Sequence, residues 1–200
     1  TAKALLSGKL YEKGCKALDE LFKELHSLVT GLHLLGECTD RSRDALLSFG
    51  ERLSTTLIAL RAEERGIYTE LLDSRKLIKT DDEFTKATPL MENTIRNIQR
   101  DVNAEPNKLL VAQGFIASTQ QGITTTLGRG GSDYTATIFG AALKAEAVQI
   151  WTDVNGIMTT DPRIVDKAKT VDEISYDEAS ELAYFGAKVV HPSTIQPAVE

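Results

Sequence analysis

Cysteine is nearly absent from these 200 residues. Cys15 and Cys38 are too few for a disulfide framework and are expected as reduced thiols of a cytoplasmic protein. The three histidines, His26, His33 and His191, stand at no metal-ligand spacing, so no zinc or other protein-held metal site is expected. No apolar run reaches membrane length, no signal peptide opens the chain, and no repeat or low-complexity tract appears, which argues against a membrane partner. Basic charge is also scarce. Lys and Arg number 23 against 29 Asp and Glu, a formal charge of −6, which argues against a nucleic-acid partner. From Trp151 to Glu200 the balance is four Lys or Arg against nine Asp or Glu. A polyphosphate bound there would depend on a few placed cations and Mg²⁺. What remains is ordinary: 42% hydrophobic and 26% charged residues, in a length that favours one domain.

Apolar residues recur at helical spacing through Tyr11, Cys15, Leu18, Leu21, Phe22, Leu25, Leu28, Val29 and Leu32. A second helix is expected from near Arg43 to Arg65, stopped by Gly66, with Leu46, Leu47, Gly50, Leu53, Leu57 and Leu60 inward. Glu51 lies on that helix between Leu47 and Ile58, so its carboxylate leans towards an apolar stripe. An unpaired buried carboxylate costs several kcal/mol, so a cationic partner is expected, either Arg52 or Arg43 or a ligand. Ile67 to Leu72 and Leu109 to Ile116 read as strands, with a polar, partly helical connection around Asp81 to Gln99. From Lys108 onward strands and helices alternate, which predicts an α/β fold with a mostly parallel sheet and helices on both faces.

The densest signal is Thr124-Thr-Thr-Leu-Gly-Arg-Gly-Gly-Ser-Asp-Tyr134. A β-prone run passes through three glycines into a helix expected from roughly Ser132 to Ala145, with Ser132 as its N-cap. The helix start offers free N–H groups and a positive dipole end, and Arg129 adds a planar fork matched to carboxylate or phosphate. Asp133 beside an anion site suits a catalytic role better than a dipole-stabilising one. Next, Ala147-Val-Gln-Ile-Trp151 reads as a short buried strand leading into Thr152-Asp153-Val154-Asn155-Gly156-Ile157, then Thr159-Thr-Asp161-Pro162-Arg163. Open α/β sheets build sites at such strand ends. Neither the P-loop nor the Gly-x-Gly-x-x-Gly turn is present. A third cluster, Tyr184-Phe-Gly-Ala-Lys188-Val-Val-His191-Pro192, follows a helix around Tyr176 to Leu182 that starts in capping-box form at Ser175-x-x-Glu178.

Together these clusters closely resemble the aspartate kinases of the amino-acid kinase family. The resemblance rests on Leu127-Gly-Arg-Gly-Gly-Ser-Asp-Tyr134, Ile150-Trp-Thr-Asp153, Gly156-Ile157, Thr159-Thr-Asp-Pro-Arg163, Phe185-Gly-Ala-Lys-Val189 with His191-Pro192, and upstream Leu47-Ser-Phe-Gly-Glu51-Arg-Leu-Ser54. It is close from about Gly36 onward and thin before that. It implies a three-layer αβα amino-acid kinase-like fold with a helical N-terminal lobe. Residues 1–65 would be a mainly helical, substrate-side part, and residues 66–200 an α/β part with the nucleotide site. The chain would be an incomplete catalytic domain, lacking the family's N-terminal Lys-Phe-Gly-Gly-Thr strand and its C-terminal ACT domains, and inactive alone.

The implied reaction is transfer of the ATP γ-phosphate to the β-carboxylate of L-aspartate, with Mg²⁺, opening lysine, threonine and methionine biosynthesis. The parent would be a homo-oligomer. Glu51 would receive the substrate α-ammonium and Arg129 a carboxylate, with Gly130, Gly131 and Ser132 completing the pocket. Asp133 would orient the absent lysine or hold charge near the transferring group. Thr152, Asp153, Arg163 and Lys188 would contact the nucleotide. Met158 stands where the family commonly has tyrosine, a weaker contact. The alternatives are a sister kinase for glutamate, acetylglutamate, carbamate or UMP, and a nucleotide-binding module without turnover.

Overall fold

The computed structural model describes residues 1–102, 105–152, 156–160, 164–185, 194 and 197. A short helix α1 (Ala2–Leu5) precedes two long antiparallel helices, α2 (Gly8–Leu35) and α3 (Asp40–Glu64). Gly36 ends α2 in the left-handed region at φ 70°, where only glycine is at ease, and the Thr39 side chain caps α3 by accepting from Ser42 N–H. Close approach of the pair is possible at Gly14, where an added Cβ would stand 3.2 Å from Leu60 of α3. The hairpin is also tied by Arg52 to Glu24 at 2.7 Å and Lys13 to Glu63 at 2.8 Å.

Strand β1 (Thr69–Leu72) follows, then α4 (Ser74–Leu77), β2 (Lys79–Thr80), α5 (Met91–Asp101), β3 (Leu109–Ala112), β4 (Ile116–Thr119), β5 (Thr124–Thr126), α6 (Gly131–Leu143) and α7 (Tyr176–Phe185). β1 pairs with β3 in parallel, β2 with β4 in parallel, and β4 with β5 antiparallel. The α/β class and predominance of parallel pairing stand as expected. Leu77, Ile78, Ile98, Val102, Ala117, Leu127, Ile138 and Ala142 form the buried core between the β2–β4–β5 sheet and the packed helices α5 and α6. Helix α3 lies against β1, β3 and β5.

Three expectations are corrected. The strand foreseen over Leu109 to Ile116 is broken at Gln113-Gly114-Phe115, where Phe115 takes φ +69° and turns the chain from β3 into β4. The foreseen strand Ala147 to Trp151 forms no ladder among the described residues, and Trp151 is 90% exposed. A strand needs a neighbour for its N–H and C=O groups; here Val148 instead seats on α6 at Gly140, where a Cβ would overlap it. Finally, the inward face of α3 is only partly its leucine stripe. Leu60 is buried as expected and Leu46, Leu53 and Leu57 are half-buried, but Leu47, Gly50 and Ile58 are exposed, whereas Asp44, Ser48, Phe49, Thr55 and Ala59 are buried.

Candidate active site

The corrected face of α3 organises the site. Asp44, Ser48, Glu51 and Thr55 follow one another at steps of four, three and four residues, so all lie on one side of the helix. A polar stripe can be buried only where acceptors and donors meet it, and both ends of this one are met. At one end, the Asp44 carboxylate accepts from Thr126 N–H at 3.0 Å, Thr126 Oγ1 at 2.7 Å and Thr85 N–H at 2.8 Å. At the other, Thr55 Oγ1 accepts from Gln113 Nε2 at 3.2 Å and donates to the Glu51 carbonyl at 2.7 Å. Gln113 in turn accepts from Ser74 N–H and Oγ through its side chain and its carbonyl.

Glu51 stands between these ties. Its carboxyl is half-buried, and burial raises its pKa above the usual Glu value. The two cations weighed as internal partners are engaged elsewhere: Arg52 pairs with Glu24 and lies 4.8 Å from the Phe49 ring centroid, and Arg43 pairs with Asp40 at 3.4 Å. Among the described residues Glu51 has no ion pair.

The loop after β5 holds the opposite charge. Leu127 N–H donates to Phe115 O at 2.9 Å, and Gly128 and Gly130 take φ +73° and +72°. Glycine adopts that left-handed backbone without the strain a side chain would bring. A Cβ on Gly128 would also stand 3.1 Å from Thr85 O, and one on Gly131 2.9 Å from the Phe115 ring. The loop is thus wedged between segment 85–87 and the turn at Phe115. Gly130 is the N-cap of α6 and supplies no side chain, so Ser132 is not the cap foreseen but the second residue inside the helix. The N–H groups of Ser132 and Asp133 find no acceptor among the described residues, as a helix start open to an anion requires. Arg129 is exposed with no described partner, so it does not pin the loop. Asp133 is half-buried in the first turn, its carboxylate likewise without a described partner.

Thr152 lines a cavity of about 670 Å³ together with Thr137 and Gly140 of α6, Ile157, and Tyr176 and Ala179 of α7. Met158 is half-buried and bridges antiparallel to Thr170. Asp153, Arg163 and Lys188, with His191, lie outside the described residues. The structure therefore brings Arg129, Gly130, Gly131, Ser132 and Asp133 into one loop and helix start, tied through Asp44 to the helix that bears Glu51.

The sequence pattern of the amino acid kinase family matches residues 5–200. The chain belongs to the amino acid kinase family. Lysine-sensitive aspartokinase 3 of Escherichia coli (strain K12) is 44% identical over 183 residues, which are 88% of this chain and 41% of that protein. Aspartokinase 3, chloroplastic, of Arabidopsis thaliana is 41% identical over 186 residues, 90% of this chain and 33% of that protein. E. coli aspartokinase III in complex with aspartate and ADP (R-state) superposes with a TM-score of 0.88 at 40% identity, over 99% of this chain and 43% of that one. In complex with lysine and aspartate (T-state), the same enzyme gives a TM-score of 0.85. The chain thus spans about two fifths of the E. coli protein's length.

Sequence reasoning for this amino acid kinase missed Asp44, Thr55, Gln113 and Thr126. A signal was present: Asp44, Ser48, Glu51 and Thr55 at helical period mark a polar face as surely as leucines mark an apolar one.

Proposed function

We propose that this chain is most of the catalytic domain of an aspartate kinase, residues 1–65 forming the substrate-side part and 66–200 the part with the nucleotide site. The observation that carries the proposal is a pair of opposite charges, Glu51 and Arg129, without partners among the described residues and on two elements tied through Asp44 to Thr126. A zwitterionic amino acid satisfies both: Glu51 takes the α-ammonium and Arg129, with the open N–H groups at Ser132 and Asp133, a carboxylate. The E. coli relative bound to aspartate and ADP supports this choice of substrates.

ATP donates the phosphoryl group, and L-aspartate accepts it on its β-carboxylate. That nucleophile is already ionised at neutral pH, so the residues here need not remove a proton. Their work is positioning and charge compensation. Gly130 and Gly131 let the backbone approach the substrate, and Ser132 adds a hydroxyl. Asp133 orients a cation near the transferring group. Thr152 and Asp153, with Met158 as a packing contact, hold the nucleoside side, and Arg163 and Lys188 take its phosphates. Mg²⁺ is assigned to the nucleotide phosphates. We place the parent enzyme in the cytoplasm, as a homo-oligomer, at the head of lysine and threonine biosynthesis.

The test is ADP release by the intact protein containing this chain, offered ATP with L-aspartate, L-glutamate, acetylglutamate, carbamate or UMP. Turnover with L-aspartate alone is expected. Preference for another acceptor, or ATP binding without turnover, would overturn the reading.

A further inference from the structure

Asp44 has no part in the scheme above, yet it is wholly buried and fully engaged. Its Oδ2 accepts from Thr85 N–H and Thr126 N–H, and its Oδ1 from the Thr126 hydroxyl. These bonds join three pieces of chain: α3, the end of β5 and segment 85–87. Ala87 N–H closes the circuit on Thr126 O at 2.9 Å. Two residues beyond Thr126 the chain reaches Gly128, which lies beneath Thr85 O and Lys86. Asp44 therefore holds one wall of the slot, segment 85–87, and the strand end that leads into the Arg129 loop. On its own helix it stands seven residues before Glu51, about 10 Å along the same face.

We propose that Asp44 is a positioning residue that sets the separation of Glu51 and Arg129, and with it the length of amino acid the site accepts. The proposal rests on the aspartate kinase reading for its substrate, but not for its geometry. One carboxylate joining α3 to segment 85–87 and to the strand end before the loop keeps the two charged groups from drifting apart. A hydrophobic contact would not do this, because it has no direction. The bonds, not the charge, are what the role needs. An asparagine can present its carbonyl oxygen to the two N–H groups and its amide to the Thr126 hydroxyl, which can turn to accept.

The experiment compares Asp44→Ala, Asp44→Asn and Thr126→Val in the intact protein. Its readouts are KM for L-aspartate and for ATP, kcat, the L-aspartate to L-glutamate preference, and amide exchange across residues 127–133. Asp44→Ala is expected to raise KM for aspartate about ten-fold or more with KM for ATP held within about two-fold, to erode the preference over glutamate, and to speed exchange in the loop. Asp44→Asn should recover most of each effect, and Thr126→Val should show a fraction of it. If Asp44→Ala does not fold, the asparagine and valine variants decide. Selective loss in Thr126→Val, with near wild-type behaviour in Asp44→Asn, supports the role. Parallel changes in both KM values, or exchange in the loop no faster than in α5, overturn it. Should the wild type show no aspartate turnover, the kinase reading fails, while loop exchange still decides the positioning role.

Discussion

Glu51 sits in an uncomfortable environment. Burial raises its pKa, and no described cation offsets the cost. The sign follows directly. Below the unfolded-state value both states hold the proton and the cost is nil; as pH rises through the higher folded value, ionisation weakens the folded state relative to the unfolded one. Glu51→Gln should therefore raise Tm near about pH 7 without aspartate, a gain that fades towards about pH 4. The same change should weaken aspartate binding, since the amide cannot pair with an ammonium. Thermal unfolding at the two pH values and an aspartate titration check both halves. A lower Tm for the glutamine variant near neutrality would mean that Glu51 has an internal partner. Stability surrendered at one carboxylate is a usual mark of a binding position.

At the scale of elements, the site is a junction of one helix, one turn and one loop. Gly114 shows how tight it is: a Cβ there would stand 3.0 Å from Ser132 Cα, Cβ and Oγ. The obstacle includes helix backbone at Ser132 Cα, so Gly114→Ala should force α6 outward. The expected cost is about 1–3 kcal/mol in denaturant unfolding together with a weakened aspartate site; an unchanged midpoint would show that α6 has room to move. Elements with local signals were legible in the sequence. The leucine period marked α2, Gly66 the end of α3, the triple glycine the start of α6, and Ser175 with Glu178 the capping box of α7, which forms with Glu178 N–H donating to Ser175 Oγ at 3.3 Å. What was not legible depends on distant partners. The buried face of α3 was misread because Asp44 meets Thr126 across 82 positions of chain. The turn at Gln113–Phe115 was hidden inside a continuous β-prone run, and Ala147–Trp151 was read as a strand because its composition is that of one. In each case a long-range contact, or the lack of a neighbouring strand, overrode local preference.

For the molecule as a whole, stability and site chemistry are separable. Ile98 and Ile138 are fully buried where α5 meets α6, in a core that does not include Glu51 or Arg129. Ile138→Ala should cost about 2–5 kcal/mol in unfolding free energy, yet leave the ratio of the aspartate and ATP KM values unchanged in the protein that remains folded. A selective loss of aspartate affinity would instead tie the core to the pocket. Substrate recognition turns on whether Arg129 and Glu51 clamp one amino acid. The most direct test is steady-state kinetics of Arg129→Ala in the intact protein, with L-aspartate and ATP varied independently. The clamp predicts that KM for L-aspartate rises by about 10²-fold, with KM for ATP within about two-fold of wild type. An equal rise in both, or none in either, would contradict it.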